Sequence, residues 1–180
     1  KRSGARPGDF VGITGKTGAA AAGLDLMKNK RLARKFPRLV EAQLKPRARV
    51  AEGLALAKTP GVTSAIDISD GLARNLWQLA KESGVKIVLE RIPIDSRVEK
   101  ASKHARKSAA EYALYGGEDY ELLFTFRPGA ITALKQAFAK IRSRFLVIGR
   151  VEKGRGVYLR IDKKLERVPD RGFEHFTTKT

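Results

Sequence analysis

Two carboxylates and a hydroxyl crowd the stretch Asp67-Ile68-Ser69-Asp70-Gly71. It closes a β-rich, mostly apolar run, Val62–Ile68, that reads as a strand. Alternate strand residues share a face, so Asp67 and Ser69 project together while Ile66 and Ile68 face the other way. Asp70 follows where the chain leaves for a helix. These hard oxygen donors suit Mg2+, which takes few carboxylates and fills its other positions with phosphate oxygens and water. A competing reading makes Ser69 or Asp70 the N-cap of that helix. Capping would absorb one of them and leave Asp67, an acid inside an otherwise apolar strand. There it is expected to be buried and to need a cation or strong donors. Metal or phosphate binding is the favoured reading.

Three other stretches carry chemistry. Gly116-Gly117-Glu118-Asp119-Tyr120-Glu121-Leu122 sets paired glycines, suited to close backbone approach or positive φ, before acids that lead a strand. Val11-Gly-Ile-Thr-Gly-Lys-Thr-Gly18 reads strand, glycine turn, helix, and contains Gly-Lys-Thr. A phosphate-binding P-loop needs a glycine five positions before Gly15, and Phe10 stands there. The P-loop is therefore rejected in favour of a tight turn that packs a small-residue helix. Gly172-Phe173-Glu174-His175-Phe176 brings aromatics and one histidine to the far end. With no second histidine or cysteine nearby, a zinc site is not expected there.

The elements that must position these residues follow from periodicity and punctuation. Helices are expected over Thr17–Met27, Leu32–Leu44 and Arg49–Lys58, with Lys45-Pro46 as the break. Leu72, Leu76 and Leu79 give the next helix an apolar stripe, which places Trp77 in the core rather than on a ligand. Strands are expected over Val85–Glu90, about Tyr120–Phe126 and "FLVIGRV". A basic, alanine-rich helical region runs to about Leu114, another helix covers 130–141, and a hairpin-like tail follows. Strands alternating with helices predict an α/β layered domain with a mixed sheet.

Composition narrows the classes. The 180 residues, 42% hydrophobic, suffice for one core, and no apolar run reaches the roughly 18 residues of a membrane span. Zero cysteines exclude a disulfide framework and fit an intracellular setting. A start without Met, and without an apolar stretch behind its charges, is expected of a chain that begins inside a longer protein. With 37 basic against 19 acidic residues the net charge is +18. That balance would suit nucleic acid, but aromatics are only 7% and are not interleaved with the basic residues. Anionic small molecules are the better match.

Taken together, "RSGARPGD", "TGKTGAAAAGL", "IDISDGL", "GGEDYELLF", "VIGRV" and "GFEHF" resemble the C-terminal half of the thiamine-monophosphate kinases. That family is similar to aminoimidazole ribonucleotide synthetase and its ATP-using relatives. The resemblance implies a mixed sheet packed with helices, like the C-terminal domain of that synthetase. It implies ATP-dependent phosphorylation of thiamine monophosphate to thiamine diphosphate with Mg2+, in a cytoplasmic enzyme. Carried over by motif, Asp67 and Asp70 would hold Mg2+, Arg2 and Ser69 would contact ATP, and Glu118 and Phe173 would contact thiamine monophosphate. No residue is implied as a covalent catalyst. Residues 1–180 would form a single C-terminal domain, and the ATP-binding domain that makes the homodimer would be the missing N-terminal half. The alternatives are a sister ATP-using enzyme of the same superfamily or a basic domain that binds nucleic acid.

Overall fold

The computed structural model describes residues 1–105 and 107–172. Its strands are β1 (Phe10–Ile13), β2 (Val62–Asp67), β3 (Lys86–Leu89), β4 (Leu122–Phe126), β5 (Leu146–Glu152), β6 (Gly156–Ile161) and β7 (Lys164–Arg167). Among the described residues they form one sheet in the order β2-β4-β1-β5-β3-β6-β7. All neighbours are antiparallel except β3 and β6, so the sheet is mixed, as expected. β2 is an edge strand, and its pairing with β4 sets Asp67 opposite Leu122.

Helices clothe both faces. On one side α5 (Leu72–Ser83) lays Leu72, Leu76 and Leu79, all fully buried, against Val11, Ile13, Ile66 and Leu123 of the strands. Trp77 is buried among them and donates its Nε1–H to the Val168 carbonyl at 2.9 Å, so its assignment to the core holds. On the other side α4 (Val50–Lys58) and α8 (Ile131–Lys140) cover Phe124 and Phe126. There Phe138 and Phe145 complete an aromatic cluster, their ring centres 5.1 Å apart and tilted edge to face, the geometry aromatic pairs favour. Beyond the sheet, α1 (Ala19–Met27), α3 (Pro37–Leu44), α6 (Ser96–Ser102) and α7 (Ala109–Tyr115) build a third apolar cluster around Leu26, Leu39, Val98 and Tyr112.

Some expected elements divide differently. The helix expected over Leu32–Leu44 is two, α2 (Lys30–Lys35) and α3, because Pro37 has no N–H to continue the first and starts the second. The alanine-rich stretch is likewise two helices. α6 opens on Asp95, and α7 opens on a capping box in which Ser108 and Glu111 exchange hydrogen bonds. The expected tail hairpin is β6–β7.

Candidate functional site

The C-terminal ends of β1 and β2 and the segment leading into β4 meet at one end of the sheet. The Gly116–Leu122 segment runs antiparallel beside Ile68–Ser69. Ile68 N–H donates to the Glu121 carbonyl at 2.8 Å, Tyr120 N–H to Ile68 at 2.9 Å and Glu118 N–H to Ser69 at 2.8 Å. These bonds carry the ladder past the formal end of β2 and set Glu118 and Tyr120 beside Asp67 and Asp70.

Asp67 corrects one expectation. It is exposed, not buried, because it ends an edge strand on the face turned away from Ile66 and Ile68. The alternation itself is as expected, with Ile66 and Ile68 buried. Asp67 shares a cleft of about 460 Å3 with Arg2. Arg2 reaches it because the start of the chain runs along β2, the Lys1 carbonyl accepting the Ala65 N–H at 2.9 Å.

The capping alternative does not hold either. The residue before α5 is Gly71, and no side chain caps that helix. Among the described residues, the side chains of Asp67, Ser69 and Asp70 form no hydrogen bond or ion pair. Three oxygen-bearing groups thus stand at a strand end without, among the described residues, the partners that a structural role would give them.

Tyr120 senses the charge they create. Its hydroxyl is raised above the ordinary phenol range, first by the Glu118 carboxylate, then by burial, by its 3.3 Å hydrogen bond to Glu118, and by Asp67 and Asp70. Both Glu118 (φ 71°) and Tyr120 (φ 50°) have left-handed backbone. The positive φ anticipated for the glycine pair falls on the acid and the phenol instead, where a side chain makes it costlier. Gly116 meets the other expectation, close approach: a Cβ there would lie 2.4 Å from the Tyr112 carbonyl oxygen.

Asp119 and Glu121 turn the other way. Asp119 accepts the Gly18 N–H at 2.7 Å and the Ala20 N–H at 3.2 Å, occupying the N-terminus of α1. The anion at the apparent Gly-Lys-Thr turn is therefore a side chain of the protein, and the P-loop reading fails on geometry as well as on spacing. Gly18 takes a φ of 92° there, which only glycine adopts freely. Burial pushes the Asp119 carboxyl up to about 7, against the N–H groups that favour its charge, and Glu121 adds to the rise. Glu121 accepts from Thr14 Oγ1 at 2.6 Å and from Arg49. Arg49 also reaches Glu52 at 3.2 Å, and Ser143 Oγ donates to Glu52 at 2.9 Å. Burial works against both charges, but Glu121 and then Glu52 hold the Arg49 guanidinium above its ordinary range, while a backbone N–H, Ser143 and then Arg49 hold the Glu52 carboxyl below its own.

Of the sequence-derived site residues, the structure gathers Asp67, Ser69, Asp70 and Glu118 at one sheet end, with Arg2 in the cleft of Asp67. Gly172 lies against Asp70, for a Cβ on it would sit 2.2 Å from the Asp70 carbonyl oxygen. Phe173 lies outside the described residues. No group of three or more acidic or histidine side chains among the described residues is arranged as a complete metal site. Asp67 and Asp70 would supply part of one, which fits a cation that completes its shell with phosphate and water. Sequence reasoning passed over Tyr120, although it stands in the motif that supplied Glu118.

These features define an α/β domain whose oxygen donors, unpaired among the described residues, collect at the β2–β4 end of a mixed sheet. Residues 6–162 match the family of the AIR synthase related protein, C-terminal domain, and the chain belongs to it. It is 39% identical to a thiamine-monophosphate kinase of Pyrococcus horikoshii over 177 residues, 97% of this chain and 52% of that protein. It is 35% identical to the Escherichia coli K12 enzyme of the same name, covering 98% of this chain and 55% of the relative. The solved structure of AaThiL complexed with AMPPCP and TMP superposes with a TM-score of 0.79 at 35% identity, over 97% of this chain and 53% of that one. The chain thus spans about half the length of the curated relatives it matches.

Proposed function

We propose that this chain is the C-terminal domain of a two-domain thiamine-monophosphate kinase, which transfers the γ-phosphoryl group of ATP to thiamine monophosphate. The observation that carries the reading is the Asp67–Ser69–Asp70 constellation beside Glu118, without side-chain partners among the described residues, in a chain alignable almost end to end with such kinases. Phosphoryl transfer depends chiefly on positioning and charge neutralisation, so carboxylates that hold metal suffice without a covalent intermediate. In this reading Asp67 and Asp70 bind Mg2+, Ser69 and Arg2 contact ATP, and Glu118 faces the cationic thiazolium ring. Phe173 would stack on that ring. The homodimer and the cytoplasmic setting implied by the resemblance belong to the same proposal. Among the described residues no helix is long and apolar enough to cross a membrane.

The test is thiamine diphosphate formation by the longer protein that carries this sequence, with ATP and Mg2+ and with thiamine monophosphate as acceptor. Product formation that falls about 10²–10³-fold with Asp70→Asn supports the assignment. ATP binding without any product from thiamine monophosphate would overturn the substrate and favour a sister enzyme. The chain alone is expected to turn over little or nothing.

A further inference from the structure

A second polar cavity, of about 300 Å3, shares no lining residue with the cleft of Arg2 and Asp67. Five cations line it: Lys16 from the turn before α1, Lys45 and Arg47 from the loop between α3 and α4, Arg49, and Arg97 from α6. Three acids share the walls, and each is engaged. Arg97 grips Asp95 with two hydrogen bonds, at 2.9 and 2.6 Å. Asp119 is held by the start of α1, and Glu121 by Thr14 and Arg49.

What remains is positive. Lys16 and Lys45 form no hydrogen bond or ion pair among the described residues, and Arg47 comes only to 3.9 Å from Glu52. Lys16 adds to the field that, with Arg97, keeps Asp95 ionised against its burial. The Nε of Arg49 is buried without an acceptor. A buried N–H donor left unmatched, beside cations that the described residues offset only weakly, is what an enclosed anion would satisfy.

We propose that this cavity is an anion site for a small phosphate-bearing ligand, held by Lys16, Lys45 and Arg47 and distinct from the Asp67–Asp70 end of the sheet. Lysine serves as a point charge for phosphate, and the exposed fork of Arg47, held by Glu52 only at 3.9 Å, takes two of its oxygens. The cavity has room for a tetrahedral oxyanion with its waters, or for two linked phosphoryl groups. The inference does not depend on the kinase reading, since neither a metal nor Asp67 takes part.

The test is calorimetric titration of the chain with inorganic phosphate and, separately, pyrophosphate, in buffer free of divalent cations. Saturable one-to-one binding is expected, weakening as salt rises. Lys16→Ala combined with Arg47→Ala should weaken it at least about tenfold. Both side chains are exposed, so circular dichroism should report an unchanged fold. Asp67→Asn with Asp70→Asn should leave it within about twofold. Tighter binding of pyrophosphate would assign a ligand with two phosphoryl groups, and equal binding a single one. No saturation in the tens of millimolar, indifference to the Lys16/Arg47 pair of changes, or loss with the Asp67/Asp70 pair would each overturn the proposal.

Discussion

Asp67, Asp70 and Glu118 stand at the same end of the sheet as Asp119 and Glu121, yet the two groups of acids are treated in opposite ways. Asp119 and Glu121 are turned inward, where two backbone N–H groups, Thr14 and Arg49 meet them. Asp67 and Asp70 receive nothing from the described residues, and Glu118 receives only the long hydrogen bond of Tyr120. A carboxylate that the fold needs is supplied with donors, because enclosing it otherwise is expensive. One left without donors at a strand end is free to take them from a ligand. Adjacent residues of a single motif thus divide into support and chemistry.

Removing Arg49 should strip the inward acids of their cation. Arg49→Met leaves Glu52 and Glu121 enclosed without their cation, and unfolding free energy should fall by about 3–5 kcal/mol. Urea denaturation measures this directly. A loss under about 1 kcal/mol would show that the inward acids are not structural.

The converse change affects activity and spares the fold. In the longer protein, Asp67→Asn and Asp70→Asn should each lower kcat/KM by about 10²–10³, the scale for removing one electrostatic contact to a developing charge. The stability of the chain should move little, within about 0.5 kcal/mol, since neither side chain has a partner to lose among the described residues. If either replacement destabilised the chain as much as Arg49→Met, the division between the two groups would collapse.

How much of this was readable in advance differs between the groups. The outward residues lie in short local motifs, so "IDISDGL" and "GGEDYEL" supplied their identity, and the period-two pattern put Asp67 opposite the buried isoleucines. The exposure of Asp67 was not readable, because it depends on β2 being an edge strand, a matter of sheet order that no single segment encodes. Arg49 and Glu121 meet across 72 positions of sequence, and neither residue alone marks the pairing. Pro37 was visible, yet the apolar pattern running through it suggested one helix where its missing N–H requires two. The left-handed backbone of Glu118 and Tyr120 follows from the ladder bonds to Ile68 and Ser69, and those too are long-range.

Between these extremes sits Asp119, inward and hydrogen-bonded yet raised to about 7. A carboxyl raised on folding binds its proton more tightly in the native state than in the unfolded chain. Its contribution is therefore fully present below the unfolded value near 3.8 and is lost as pH rises through about 7. The loss should be on the order of 2 kcal/mol, below full linkage because solvent reaches part of the group. Carboxyl carbon shifts should show a midpoint near 7, and Asp119→Asn should flatten stability across that window. A midpoint below about 4.5 would mean that the α1 N–H groups outweigh burial, and that Asp119 is a plain anionic cap.

The smallest effect reads the outward acids without any ligand. Tyr120 is raised first by Glu118 and then, more weakly, by Asp67 and Asp70, because each negative charge disfavours a second one on the phenolate. Neutralising them should bring its midpoint back toward 10, with Glu118→Gln having more effect than Asp67→Asn or Asp70→Asn. Absorbance titration against Tyr120→Phe isolates this tyrosine from Tyr112, which burial and Asp25 hold well above it. Tyr120→Phe itself should change stability by less than about 1 kcal/mol, since its hydrogen bond is long and near the surface. If the carboxamide changes left the Tyr120 midpoint in place, Asp67, Asp70 and Glu118 would not share one electrostatic site, and their grouping would rest on sequence position alone.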